Sequence, residues 1–285
     1  MNTAVITLCS ASRLDHVRRQ QRLLSTEPVR RILVWLDAEP PPPFLPPFLP
    51  SSSGAEPVPA FSGAEVVHVP PGEQGMRLAA GRNRGAALAA DADILVFLDA
   101  DCLPGPDLLA RYRSAADAHP GALLCGPVTY LPAGVHPENA HALPALTAPH
   151  AARPAPPDGE NVLAGPDDHR LFWSLSFAVT AQTWGTLGGF HEAFEGYGGE
   201  DTDLAYTAKE AGVPLVWAGG AHAYHQHHPT SSPPWQHLDD ILRNGRLFAD
   251  RWGFWPMRGW LDAFAAAGAI ERGPAGWQRA AQPAR

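Results

Sequence analysis

Two acidic stretches contain the side chains of this sequence that are best suited to chemistry. Asp99 and Asp101 directly follow a short apolar run, and Glu200 and Asp201 directly follow two glycines at 198–199. Carboxylate oxygens suit Mg²⁺ or Mn²⁺, whose coordination is usually completed by substrate phosphate. We therefore predict that the first stretch holds a metal-bound diphosphate and that the second handles an acceptor molecule.

The first stretch needs a strand that ends at Asp99. The run 94–98 is apolar throughout, which is typical of a strand buried on both faces of a parallel sheet. Pro104 and Gly105 predict a turn soon afterwards, and a turn lets two carboxylates at positions i and i+2 converge on one cation. An Asp-x-Asp triplet is common by chance, so the prediction of a cation site depends on its position directly after a strand.

The second stretch is predicted to lie at the N-terminus of a helix. Leu204, Ala208 and Ala211 recur at helical spacing, and Gly212 ends the pattern. Free N–H groups and the helix dipole stabilise carboxylates at such a position. A plain capping acid would explain one of the two carboxylates but not the double glycine, so we expect a functional site.

Strands and helices alternate along the chain, which predicts an α/β fold with a mostly parallel central sheet and helices on both faces. The predicted strands cover 4–9, 31–36, 65–69, 94–98, 122–130, 172–180 and 215–218. A first predicted helix is capped by Ser10 or Ser12 and carries Leu14, Val17, Gln21 and Leu24 on one face. The other predicted helices cover 75–90, 106–118, 202–211, 235–252 and 259–270.

The chain divides into an α/β domain over residues 1–230 and a helical extension over 231–285, with a frayed tail from 271. A Pro-rich insertion at 38–62 is predicted to be irregular because proline lacks the N–H that a central strand needs; a polyproline motif for a partner is the alternative. The stretch 131–170 is predicted to be a long loop, and loops of this length are often lids.

Asp37 and Arg82 are predicted to lie near the same edge of the sheet as the acidic stretches. Asp37 ends the second strand, and ligands of such sheets bind beyond the carboxyl ends of the strands. A turn or cap role is the alternative for this residue. Arg82 lies in an alanine-rich helix, where it could bind phosphate or order the acidic cluster, or simply form part of a solvated face.

Four histidines lie within seven residues after the last predicted strand of the α/β domain: His222, His225, His227 and His228. A neutral imidazole nitrogen could complete a cation site. We expect one or two of the four to be functional, and their types alone do not say which.

Composition excludes several classes of protein. The chain has 285 residues, a net charge of -8 and no run of Lys or Arg, which argues against nucleic acid and anionic membranes as partners. The three cysteines show neither metal spacing nor a disulfide framework, which suits a reducing compartment. No stretch of about 20 apolar residues predicts a transmembrane segment. We therefore expect a cytoplasmic protein and leave peripheral membrane attachment open.

Taken together, these motifs resemble a family-2-type glycosyltransferase of the GT-A fold over roughly residues 3–228. The stretch 188–204 resembles the C-terminal block of the β-1,4-galactosyltransferase and polypeptide N-acetylgalactosaminyltransferase group. The second strand departs from the usual ending of two acids and a small residue, since it reads Asp37-Ala38-Glu39.

The resemblance implies an inverting transfer of a hexose or N-acetylhexosamine from a nucleotide sugar, expected to be UDP-linked, to an acceptor hydroxyl. The acceptor class stays open among a glycan, a lipid-linked molecule and a small molecule. By the same resemblance, Asp101 would bind Mn²⁺ or Mg²⁺ directly and Asp99 would contact the ribose or the metal. His225 would be the further ligand, with His222 and His228 as alternatives.

The remaining roles also come from the resemblance. Asp37 would contact the nucleoside, and Arg82 would support the site. Asp201 would deprotonate the acceptor hydroxyl, and Glu200 would orient the acceptor.

Two other functions are weighed against this one. A sugar nucleotidyltransferase would need a glycine-rich, basic loop after the first strand, and the sequence 9–13 has neither glycine nor lysine. A non-catalytic homologue that binds a nucleotide sugar or a glycan is the other alternative. The presence of all four carboxylates argues against it.

Overall fold

A computed structural model describes residues 1–42, 61–137 and 139–281 of the chain. Most of the predicted Pro-rich insertion therefore lies outside the described residues. The described strands are β1 Thr3–Cys9, β2 Arg30–Trp35, β3 Ala64–His68, β4 Ile94–Leu98, β5 Cys102–Pro104, β6 Leu123–Cys125, β7 Val128–Tyr130, β8 Asn161–Leu163, β9 Ser176–Thr180, β10 Leu215–Ala218, β11 Ala223–His225, β12 Ile270–Gly273 and β13 Gly276–Arg279. The described α-helices are α1 Leu14–Leu24, α2 Leu78–Leu88, α3 Leu108–Ala118, α4 Ala181–Leu187, α5 Glu200–Glu210, α6 Leu238–Trp252 and α7 Arg258–Ala266.

Eight strands form the central sheet in the order β3-β2-β1-β4-β9-β6-β10-β8. Neighbouring strands are parallel from β3 to β4 and between β6 and β10. The strand β9 runs antiparallel to both β4 and β6, and β8 is an antiparallel edge strand. The predicted α/β fold with a mostly parallel sheet is confirmed.

Alternating side chains of the central strands fill two cores, one on each face of the sheet. Ile6 and Phe97 pack with helices α2, α4 and α5, whereas Val5 and Val96 pack with α3 and the end of α1. The Phe97 ring stacks on Phe177 at 4.5 Å. Replacing a buried phenylalanine of this kind by alanine typically costs about 3–5 kcal/mol. Burial on both faces explains why these strands read as continuous apolar runs.

A second, three-stranded sheet has the order β5-β11-β7 and lies beyond the carboxyl end of β4. The strand predicted at 122–130 is therefore two strands, β6 in the central sheet and β7 in the small one. The chain changes sheet at Gly126, where an added Cβ would lie within bonding distance of the Ala221 carbonyl oxygen. Glycine permits this close backbone approach.

The C-terminal extension contains α6 and α7, as expected from the sequence, whereas the described part of the predicted tail, residues 271–281, is not frayed. Strands β12 and β13 form a hairpin, and Ile270 joins the apolar cluster between α6 and α7. The predicted long loop also has local structure, since it contains β8 and short 3-10 helices at Ala140–Ala142, Pro144–Leu146 and Asp168–Leu171. Within the described ranges, no helix combines the length and apolarity needed to cross a membrane.

Candidate functional site

The backbone turns sharply at the end of β4, and a buried glutamine holds that turn. The Cys102 N–H donates to the Asp99 carbonyl at 2.9 Å. Gln20 of α1 donates its side-chain amide to the carbonyls of Asp99 at 2.7 Å and Cys102 at 2.9 Å, and Thr7 donates to the Gln20 oxygen. The turn predicted from the sequence thus exists, although no sequence pattern singled out Gln20.

Asp101, His225 and His228 converge at this turn. Their ligand atoms all lie within 4.8 Å of one another. The Asp101 carboxylate lies 3.5 Å from His225 Nε2 and 3.3 Å from His228 Nε2. Backbone pairing sets this geometry, because β11 lies beside β5 and the Gln226 N–H donates to the Asp101 carbonyl at 2.7 Å.

The other two residues proposed for the cation lie outside this group. His222 Nε2 is 2.6 Å from the Thr129 hydroxyl, and burial lowers the pKa of His222 to about 4. Asp99 instead accepts a hydrogen bond from Arg82 at 3.1 Å. The structure therefore brings His225 and His228 to Asp101 and directs His222 and Asp99 to other partners.

The electrostatics of the group favour an ionised carboxylate beside a neutral imidazole. Burial raises the pKa of Asp101, but the His228 hydrogen bond and the charges of His225, His228 and Arg13 outweigh it and lower the pKa to about 2. Burial lowers the pKa of His225. These two shifts favour the protonation states that a metal ligand requires, whereas the hydrogen bond to Asp101 raises the pKa of His228, so a bound cation would have to displace a proton there.

The residues present fit a divalent cation. One carboxylate oxygen and two imidazoles converge, and the His225 Nδ1 atom is buried with no hydrogen-bond partner in the described part of the chain. Two nitrogens in the donor set suit Mn²⁺ or a later transition metal better than Mg²⁺, which prefers oxygen ligands.

Arg82 connects the two acidic stretches. Its guanidinium is 4% exposed and donates to Asp99 Oδ1 at 3.1 Å and to Glu200 Oε1 at 3.3 Å. The guanidinium also lies over the Phe190 ring at 5.1 Å. This position agrees with the prediction that Arg82 orders the acidic cluster, and it excludes the solvated-face alternative.

Glu200 and Asp201 begin α5, two residues earlier than the helix was predicted to start, and their environments differ. Glu200 is buried; desolvation and the neighbouring charge of Asp201 raise its pKa to about 7. Asp201 is half-buried, and its Oδ1 accepts hydrogen bonds from the Thr202 N–H at 2.6 Å and the Thr202 hydroxyl at 3.2 Å. Burial also raises the pKa of Asp201. Two carboxylates in different environments can take different chemical roles.

The glycine turn before α5 is held by helix α6. Gly198 and Gly199 have φ of 89° and 96°, which side chains with a Cβ rarely adopt. The Asn244 amide donates to the carbonyls of Glu195 at 2.9 Å and Gly198 at 2.8 Å. Further along, the buried carboxylate of Asp203 accepts from Arg251 at 2.7 Å. The extension thus holds the glycine turn before the acidic pair through Asn244, and holds helix α5 after the pair through Arg251. The sequence did not indicate this role.

Asp37 lies at the carboxyl end of β2, as predicted. Its Oδ2 accepts a hydrogen bond from the Ala11 N–H at 2.6 Å, and its carbonyl lies 2.8 Å from His68 Nε2. Asp37 therefore ties the loop after β1 to the loop after β2 at the edge where ligands of such sheets bind.

Two family models match adjacent parts of the chain. Residues 59–169 match glycosyl transferase family 2, and residues 165–229 match a model described as the N-terminal domain of galactosyltransferase. The second match includes the glycine turn, the acidic pair and the histidines.

The chain has the GT-A glycosyltransferase fold, and its sequence is similar to glycosyl transferase family 2 over residues 59–169. The sequence resemblance to that family is confirmed. Two curated relatives support the expected enzyme class, since both are called validoxylamine A glucosyltransferase. They come from Streptomyces hygroscopicus subsp. jinggangensis (strain 5008) and subsp. limoneus, and each is 33% identical over 159 residues. These matches cover 50% of this chain and only 37% and 35% of the relatives.

Solved structures share the GT-A fold of the chain. The crystal structure of GalNAc-T7 with UDP, GalNAc and Mn²⁺ has a TM-score of 0.59 at 14% identity, over 88% of this chain and 48% of that one. The crystal structure of S. aureus TarS has a TM-score of 0.55 at 13% identity, over 88% and 39%. TarS 1–349 with UDP-GlcNAc has a TM-score of 0.51 at 12% identity, over 87% and 66%. At these identities the likeness establishes the fold alone.

Proposed function

We propose that this family-2-like protein is an inverting, cation-dependent glycosyltransferase that uses a UDP-linked hexose or N-acetylhexosamine. The observation that carries the proposal is the contact of Arg82 with both acidic stretches. Through that contact the pair Glu200–Asp201 lies near Asp99, two residues before the cation ligand proposed at Asp101. A donor diphosphate and an acceptor hydroxyl can therefore meet there.

Asp101, His225 and His228 are the residues proposed to hold the cation. A bound divalent cation would neutralise the charge that develops on the leaving diphosphate. Asp99 lies next to this group but is engaged by Arg82, so we assign it to the ribose rather than to the metal. Asp37, at the neighbouring strand end, is assigned to the nucleoside.

A UDP-linked donor is supported by two of the similar structures, GalNAc-T7, which was solved with UDP, and TarS 1–349, which was solved with UDP-GlcNAc. The loop after β1 argues against the alternative of a nucleotidyltransferase. Its Ala11 N–H donates to the Asp37 carboxylate and so is occupied, whereas a phosphate-binding loop needs free N–H groups.

Asp201 is proposed as the general base. Thr202 fixes its Oδ1 through two hydrogen bonds, while its Oδ2 has no such partner within the described ranges and the side chain remains half-buried. As the acceptor oxygen attacks the anomeric carbon, the bond from that carbon to the diphosphate breaks and the hydroxyl proton passes to Asp201. Glu200, which is buried and held by Arg82, is proposed to orient the acceptor.

Thermal shift with UDP, GDP and dTDP, each with and without Mn²⁺, tests the donor site. A ligand that binds only the folded protein raises the melting temperature by mass action. We expect UDP with Mn²⁺ to stabilise the protein more than either alone and more than GDP or dTDP with Mn²⁺. If no nucleotide raises the melting temperature with any divalent cation, the donor-site proposal is wrong.

The acceptor and the location remain predictions from the sequence. The acceptor is a glycan, a lipid-linked molecule or a small molecule with a free hydroxyl. A screen of such acceptors with the nucleotide sugar that stabilises the protein most would identify the class.

A further inference from the structure

A tyrosine lies flat against one of the candidate cation ligands. The ring centroids of Tyr130 and His225 are 4.4 Å apart and the two planes differ by 21°. The two residues are register partners in the parallel pair β7–β11, and the Leu131 N–H donates to the His225 carbonyl at 2.8 Å. Tyr130 is nevertheless 47% exposed, so its burial in a core does not explain this arrangement.

Within the described ranges, no residue makes with His225 the hydrogen bond that usually orients a metal-binding histidine. Such a ring normally donates its second N–H to a carboxylate, a carbonyl or a water, which fixes both the tautomer and the ring plane. Nδ1 of His225 is buried and has no hydrogen-bond partner among the residues the structure describes. Its ring is instead flanked by Tyr130 and, at 5.2 Å and 48°, by His228.

We propose that Tyr130 is a positioning residue for the cation site, and that its ring holds the plane of His225 so that Nε2 stays directed at Asp101. This inference rests on the proposed cation site at Asp101, His225 and His228. Stacking replaces the missing hydrogen bond, because an offset aromatic pair restricts rotation of the imidazole about its own axis. Without the stacked tyrosine, the His225 ring would lose rotational freedom only when the cation binds, and this entropy cost would weaken the affinity for the cation.

Tyr130 is itself held in place by the predicted long loop. Its ring lies 5.3 Å from the ring of His150, which in turn lies 5.2 Å from the ring of Trp173. The His150 N–H donates to the Val128 carbonyl at 2.8 Å, which anchors the loop to the start of β7. The loop that contains His150 therefore packs against Tyr130, and Tyr130 in turn packs against the proposed ligand His225.

The test is the Mn²⁺ dissociation constant of the full chain, measured by calorimetry without nucleotide. We expect Tyr130→Ala to raise the dissociation constant by about tenfold, as other substitutions around metal ligands do. Tyr130→Phe keeps the ring and should leave the constant within about twofold. Phe254→Ala is the matched control, because Phe254 is 43% exposed and packs on Tyr206 and Phe248 rather than on the cation group.

The outcomes separate this proposal from the proposed function. If the unaltered protein binds no Mn²⁺, the cation site itself is wrong. If it binds Mn²⁺, Asp101→Asn abolishes binding and Tyr130→Ala changes nothing, the positioning role is wrong and the proposed function stands. If Tyr130→Phe weakens binding as much as Tyr130→Ala, the hydroxyl matters rather than the ring, and the stacking argument is overturned. Melting temperatures of all variants verify that they fold.

Discussion

Arg82 Nη1 lies 3.3 Å from Glu200 Oε1, across 118 positions of sequence. Both side chains are buried, with 4% and 7% of their surface exposed. A buried guanidinium is stable only when it is paired, and here its other nitrogen is paired with Asp99. One arginine thus balances a carboxylate from each acidic stretch.

Loss of this arginine should destabilise the fold as well as the site. We expect Arg82→Met to lower the free energy of unfolding by about 3–5 kcal/mol, because Glu200 would be left buried, and Asp99 half-buried, without a counter-charge. Arg84→Met is the control, since Arg84 is exposed on the same helix. Urea denaturation measures the difference, and equal stability of the two variants would contradict the ion-pair argument.

Replacement of the proposed base should remove turnover but not donor binding. Asp201→Asn keeps the shape and loses the proton-accepting oxygen, so we expect UDP release from a UDP-sugar to fall by about 10²–10⁴-fold. Calorimetry should show UDP with Mn²⁺ binding as in the unaltered protein. Asp167→Asn is the control, because the side chain of Asp167 is 88% exposed. Lost binding with intact turnover would refute this assignment.

Alanine substitutions of the three histidines at 222, 225 and 228 should differ in their effect on Mn²⁺ affinity. His225→Ala and His228→Ala each remove a converging nitrogen, so we expect Mn²⁺ affinity to fall at least tenfold. His222→Ala should leave it within about twofold, because His222 is engaged by Thr129. The nitrogen ligands also predict tighter binding of Mn²⁺ than of Mg²⁺. Tighter binding of Mg²⁺ would contradict the donor set.

Glu200 should make stability depend on pH. Burial and the charge of Asp201 raise its pKa from an ordinary value of 4.5 to about 7, so the folded state favours the protonated form. The contribution of Glu200 to the free energy of unfolding is therefore fully present below pH 4.5 and is lost as the pH rises to about 7. Glu200→Gln cannot ionise and should lose less stability across that window.

Melting temperatures at pH 4.5 and pH 8 provide the measurement. Relative to the unaltered protein, the Glu200→Gln variant should gain roughly 6–12 °C between the two pH values, since a pKa difference of about 2.5 units corresponds to about 3 kcal/mol. Glu210→Gln serves as the control, because Glu210 is exposed at the opposite end of the same helix. A constant difference between variant and unaltered protein would show that Glu200 does not titrate in this range.

The central strands could be predicted from sequence because burial on both faces requires continuous apolar runs. The predicted strand at 94–98 agrees with β4, and that at 4–9 starts only one residue after β1. The local pattern failed at 122–130, where one apolar run supplies strands to two sheets. The signal was Gly126-Pro127, since proline cannot donate a hydrogen bond within a ladder. The hairpin at 270–279 was missed because its strands are short and largely polar.

The site was only partly predictable, because its residues are brought together by pairing between distant segments. Arg82 was singled out by its chemistry, but Gln20 and Asn244 are neutral amides whose buried hydrogen bonds leave no local pattern. The choice between His222 and His228 depends on the register of β11 against β5, which is set by contacts far away in sequence.

The pairing of β11 with β5 joins parts of the proposed cation site that are made at different times during synthesis. Asp101 emerges from the ribosome long before His225 and His228 do. A growing chain that has formed β1, β2 and β4 therefore presents one carboxylate and neither imidazole. Such a chain would bind the ion weakly, so the metal would stabilise only the completed domain. By binding that folded state, the metal would shift the balance from degradation towards folding.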